Sequence, residues 1–176
     1  MTITLATEAP SFDLPGVDGE QHSLDDYAGV AALAVVWSCN HCPYVQAWEG
    51  RMIDLQREYG DRGFRLVAIN SNDAENYPED SFDAMKARAE QQGFNFDYLY
   101  DEGQSVLDAY GAERTPEVFL FDSERRLVYH GAIDDSREEN EVTQHYLRDA
   151  IEAVLAGEEP PVTETPAVGC SVKRRP

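Results

Sequence analysis

An unbroken apolar run, Ala31 to Trp37, predicts a central parallel strand buried on both faces. Directly after it the pattern changes period. From Pro43 to Tyr59 the apolar residues Val45, Trp48, Met52, Leu55 and Tyr59 fall at helical spacing. Pro43 suits a helix's first turn and Gly60 suits its stop. Phe64 to Ile69 predicts a second strand, followed by the polar loop Asn70-Ser71-Asn72-Asp73. Asp80 or Ser81 can cap a helix running to Gln92, with Gly93 ending it. Phe96 to Tyr100 reads as a short strand, and Ser105 to Tyr110 as a short helix closed by Gly111. Glu117 to Phe121 and Leu127 to His130 flank Asp122 to Arg126 as a β-hairpin. A final amphipathic helix spans Thr143 to Ala156. Before the first apolar run, Pro15-Gly16 and Asp18-Gly19 separate Phe12 to Leu14 from Gln21 to Leu24, a small hairpin. No repeat or boundary interrupts this series. Residues 1–156 therefore read as one α/β domain, and the polar, Pro-rich residues 157–176 as an extended tail.

Charge changes the picture of the surface. The chain has 176 residues and a net charge of −20, with its acids scattered rather than gathered in a tail. Such a surface repels phosphates, so nucleic acid and anionic membrane are excluded as expected partners. Only Lys86 and Lys173 are lysines. So acidic and lysine-poor a surface resembles those of halophilic proteins, in which high salt screens the self-repulsion; a merely acidic mesophile protein is the alternative. No stretch approaches the roughly 18 consecutive apolar residues of a membrane span. The first ten residues lack a basic segment followed by an apolar one, so the expected location is cytoplasmic, where cysteines stay reduced unless they turn over.

The chemistry lies where strand gives way to helix. Cys39 and Cys42, separated by two residues, read as a redox pair; two structural cysteines or half of a zinc site are the alternatives. A cysteine at a helix N-terminus sits among unpaired N–H groups and the positive end of the dipole, which favour its thiolate. His41 adds a positive charge when protonated and would lower the first thiol further.

The element order, with an N-terminal hairpin and an inserted strand–helix segment, resembles the thioredoxin fold. The segments Cys39-Asn-His-Cys-Pro-Tyr-Val45, Ile69-Asn-Ser-Asn-Asp73, Tyr77-Pro-Glu-Asp80, Tyr110-Gly-Ala112 with Thr115-Pro116, and Gly169-Cys-Ser-Val-Lys173 are similar to a peroxiredoxin-like subgroup of that superfamily. The resemblance implies that Cys39 is an exposed nucleophile and Cys42 the resolving thiol. It also implies that Thr115–Pro116 is a cis bond facing the pair, with the backbone before it pairing substrate. Two departures stand out. The buried acid that thioredoxins carry six residues before the first cysteine is here Leu33, and Ser38 displaces the usual Trp. Proton handling then falls to His41, Glu49 or water. Asn70, Asn72 and Asp73 read as a hydrogen-bonded turn, with substrate contact as the alternative.

Three functions follow. The first is thiol–disulfide exchange on protein or low-molecular-weight thiols and disulfides, carried by sulfur with no cofactor and no metal. The second is thiol peroxidase activity. Peroxiredoxins place Thr or Ser three residues, and Pro seven residues, before the reacting cysteine; here those positions are Cys39 and Val35 for Cys42, or Val36 and Ala32 for Cys39. The third is metal binding by Cys39, His41, Cys42 and Cys170 without catalysis. Cys170 is either a free thiol on a loose tail or a third redox thiol. The tail's 13 residues from Gly157 reach up to about 45 Å, enough to return to the Cys39 site.

Overall fold

In the computed structural model, which describes residues 1–176, the apolar run forms the middle of a five-stranded sheet. In chain order the elements are β1 (Asp13–Pro15), β2 (Gln21–Ser23), β3 (Ala32–Trp37), α1 (Pro43–Tyr59), β4 (Phe64–Asn70), α2 (Phe82–Gln92) and β5 (Asp97–Tyr100). They continue with α3 (Ser105–Tyr110), β6 (Arg114–Thr115), β7 (Glu117–Phe121), β8 (Leu127–Gly131), α4 (Tyr146–Leu155) and β9 (Cys170–Ser171). The main sheet runs β5-β4-β3-β7-β8, with β3, β4 and β5 parallel and the β7–β8 hairpin antiparallel.

Why β3 is apolar throughout is visible in where its side chains go. Ala32, Ala34 and Val36 face a core built with α1 and α4 residues such as Trp48, Met52 and Ile151. Leu33, Val35 and Trp37 face a second core with Leu107, Tyr110 and the N-terminal residues Phe12 and Leu14. A strand covered on both faces has no polar side, which explains the unbroken run. The expected helix over Thr143–Ala156 starts later, at Tyr146. The Thr143 N–H and hydroxyl both donate to the Asp135 carboxylate, which ties this residue into the loop before the helix.

Residues 157–176 run along the domain surface. Thr165 bonds His130 and Tyr129 beside β8, and Val172 is buried in the second core. β9 pairs antiparallel with β6, Cys170 opposite Thr115 and Ser171 opposite Arg114. No helix is long and apolar enough to cross a membrane.

Candidate active site

β3 delivers the chain to the site and α1 takes it away. Beyond Trp37 the Ser38 N–H donates to Ile69 O at 2.8 Å, so the strand's last bond is made one residue before Cys39. Residues 39–42 are not helical. The N-cap of α1 is Cys42, in extended conformation, with Pro43 at the first helical position. Proline pushes the residue before it out of the helical region, and its own fixed φ suits the first turn. This corrects the expectation that Cys39 starts the helix: Pro43 gives that place to Cys42. Nor is Cys39 exposed, since it is 1 % accessible and Cys42 is fully buried.

Three sulfurs converge. Cys170 Sγ lies 2.6 Å from Cys42 Sγ, although 128 residues separate them. Thr115 closes the other side, its Oγ1 3.7 Å from Cys39 Sγ and its carbonyl oxygen 3.5 Å from Cys42 Sγ. The Thr115–Pro116 bond that brings this residue in is cis. The thiolate of this cluster belongs on Cys42, whose pKa is lowered to about 4. The main cause is the Cys39 S–H donated to it; burial opposes, and the Cys170 S–H and the Val45 N–H assist. Cys39 is pushed up by that same hydrogen bond, by burial and by the charge of Asp80. Cys170 is pushed up to about 11, by burial first and then by its bond to Cys42.

Asp80 is the residue that sequence reasoning missed. It is fully buried, and Oδ1 accepts from the Asn40 N–H at 2.8 Å and the His41 N–H at 3.3 Å. Oδ2 accepts from Asn72 Nδ2 at 2.8 Å and faces His41 Nδ1. The buried acid absent at Leu33 is thus supplied from the segment after β4. Tyr77-Pro-Glu-Asp80 was visible as a motif, but nothing local tells that its last residue turns inward rather than capping α2. Ser81 makes that cap, its Oγ accepting from the Ala84 N–H at 3.2 Å.

His41 also differs from expectation. Its ring pairs with Asp80 and stacks on Tyr77 at 6.0 Å between centroids. Its Nδ1 is therefore turned to a carboxylate, and the Asp80 charge beside Cys39 pushes that thiol up rather than down. Glu49, the other proton-handling candidate, is paired with Arg88. The loop after β4 does more than turn. Asn70 Oδ1 accepts the Asn72 N–H at 3.0 Å, while Asn72 Oδ1 accepts the Lys173 N–H and the Asp73 N–H donates to Lys173 O, both at 2.8 Å. It holds the C-terminal segment over the sulfurs.

Cys39 Sγ, His41 Nδ1 and an Asp80 oxygen lie within 4.8 Å of one another, a spacing open to a metal ion. The Asp80 oxygens are, however, already engaged by two backbone N–H groups and an amide. The donor set is better suited to the hydrogen bonds it makes.

A parallel three-strand core extended by a hairpin, with a dithiol at the β3–α1 junction facing a cis-proline, defines a thioredoxin-like protein. Residues 5–130 match the AhpC/TSA family model, and the chain belongs to that family. Thiol-disulfide oxidoreductase ResA of Halalkalibacterium halodurans is 26% identical over 121 residues, 69% of this chain; the chain spans 64% of that relative's length. A solved structure of an uncharacterized conserved protein from Geobacillus kaustophilus aligns with 44% identity and a TM-score of 0.93, over 98% of this chain and 93% of the other. The thioredoxin domain of a thiol-disulfide oxidoreductase from Bacteroides vulgatus shares the fold at a TM-score of 0.64 and 17% identity, over 73% of this chain and 89% of that one.

Proposed function

We propose that the protein is a thiol–disulfide oxidoreductase that exchanges a Cys39–Cys42 disulfide with protein or low-molecular-weight dithiols. One observation carries this: Cys39 and Cys42 pack together at the β3–α1 junction against Thr115, with Cys170 Sγ 2.6 Å from Cys42 Sγ, a setting in which the Cys42 thiol is lowered. A low-pKa thiolate is a good leaving group, and stabilising it favours the reduced form, which makes the disulfide oxidising.

The chemistry follows. A substrate thiolate attacks Cys39 Sγ in the Cys39–Cys42 disulfide. That S–S bond breaks and Cys42 departs as a thiolate. The substrate's second thiolate then attacks the substrate sulfur of the mixed disulfide. Cys39 leaves, takes up a proton, and the oxidised substrate is released. Two electrons have passed from substrate to protein. Thr115, beside both sulfurs, is itself buried and its backbone pairs with Cys170 of β9, so this strand has to lift before substrate reaches Cys39 along Thr115 and Pro116. The even spread of acidic charge supports a high-salt working environment.

The test is stoichiometric oxidation of a reduced dithiol peptide by the oxidised protein. We expect oxidation by wild type and none by Cys42→Ser, which leaves Cys39 and Cys170 without the sulfur they pair with. Peptide oxidation that survives Cys42→Ser overturns the reading.

A further inference from the structure

The C-terminal strand is fitted to the site with more contacts than a surface tail needs. Besides its pairing with β6, the Val172 N–H donates to Glu113 O at 3.0 Å, and its side chain is buried. Lys173 is gripped at both backbone ends by Asn72 and Asp73, and its carbonyl also accepts from Gln104 Nε2 at 3.0 Å. Gly169 passes so close to β6 that a Cβ there would overlap the Thr115 carbonyl. These contacts bracket one residue, Cys170, and set its sulfur on Cys42. Of the three thiols only Cys170 is part-exposed; Cys39 and Cys42 are both buried.

We propose that Cys170 is a third exchanging thiol, and that the disulfide moves between Cys39–Cys42 and Cys42–Cys170 with Cys42 common to both. This rests on the dithiol chemistry above. The step needs no outside oxidant. Cys170, giving up its proton, attacks Cys42 Sγ in the Cys39–Cys42 disulfide. The Cys42–Cys170 bond forms, the Cys39–Cys42 bond breaks, and Cys39 leaves carrying the proton that Cys170 released. Electron count is unchanged; only the position of the disulfide moves. One end of it has passed from a buried sulfur to the part-exposed one. A small thiol arriving from solvent then meets the site at Cys170; its thiolate attacks Cys170 Sγ, the Cys42–Cys170 bond breaks, and Cys42 leaves, the same stabilised leaving group. Cys39 is left as a thiol facing Thr115. The site thereby has two entrances that share one central sulfur.

The experiment uses full-length protein equilibrated in glutathione redox buffers, quenched with acid and alkylator, digested without reduction and mapped by mass spectrometry. Wild type is expected to yield both Cys39–Cys42 and Cys42–Cys170 peptides. Cys39→Ser should lose both remaining free thiols to a Cys42–Cys170 bond. Gly169→Ala, which removes no sulfur but displaces the strand, should yield Cys39–Cys42 alone. The proposal is overturned if Cys170 stays alkylatable or merely glutathionylated in wild type and in Cys39→Ser while Cys170→Ser still closes Cys39–Cys42. Wild type supplies the readout even where Cys39→Ser folds poorly. Failure of Cys170→Ser to close Cys39–Cys42 would instead remove the dithiol reading beneath it.

Discussion

Replacing Asp80 separates what it does for the fold from what it does for sulfur. In Asp80→Ala the Asn40 and His41 N–H groups and the Asn72 amide lose their acceptor in a dry setting. Each buried donor left unpaired costs about 1–3 kcal/mol, and breaking a buried charged network about 3–5 kcal/mol in all. For a chain of this size that corresponds to a fall in melting temperature of about 6–20 °C. Asp80→Asn keeps an oxygen for the two N–H groups but turns an amide against Asn72, so its loss should be about 1–2 kcal/mol. The second effect has a definite sign. Cys39 is held up by its bond to Cys42, by burial and by the Asp80 charge, so removing that charge should let Cys39 ionise at lower pH. Thermal melts of the reduced proteins give the first quantity. Alkylation of Cys39 by iodoacetamide against pH, read by peptide mass, gives the second. An Asp80→Ala melt within about 2 °C of wild type would refute the energetic argument. An Asp80→Asn profile that moves up would refute the electrostatic one.

Ultraviolet titration of the reduced protein should show a thiolate appearing near pH 4, absent in Cys42→Ser; no absorbance step below about pH 8 would count against it. Because the Cys42 pKa is depressed on folding, its contribution to stability is present above the unfolded thiol value of about 8.5. It should drain away as pH falls toward 4, visible in denaturant melts as a slope that Cys42→Ser lacks. Melting temperature should climb between dilute buffer and molar salt as a net charge of −20 is screened; a flat response would contradict the self-repulsion argument. Hydrogen peroxide should be turned over slowly, because Val36 and Ala32 stand where peroxide-activating Thr/Ser and Pro would precede Cys39; fast Cys39-dependent consumption would favour a peroxidase.

Where the sequence speaks locally, it was legible. The two-sided burial of β3, the period of α1 and the Gly93 stop of α2 each follow from neighbours within a few residues. The rule that a residue before proline avoids the helix was equally available at Cys42-Pro43, and applying it would have put Cys42 at the N-cap. What could not be read was arrangement across distance. Asp80 meets Asn40 from 40 positions away, and its polar neighbours look like an ordinary turn-and-cap segment. β9 is two residues long within a Pro-rich stretch, below the reach of any periodicity. Its place is set by Asn72, Asp73 and Gln104, whose side chains or backbone gave no sign that their partner lay beyond residue 170.

The separation of 128 positions between the touching sulfurs of Cys42 and Cys170 has a topological consequence. Closing the two makes a covalent ring that contains every α-helix and every strand of the main sheet except β3, which lies between ring members β4 and β7. In chain-entropy terms a ring of that size stabilises by about 5 kcal/mol, against about 2 kcal/mol for the small Cys39–Cys42 loop. The position of one bond would then register as the whole protein's resistance to unfolding. A chain cut once by protease in the exposed stretch 137–145 would still migrate as a single molecule, until a reductant opened the ring and released two pieces.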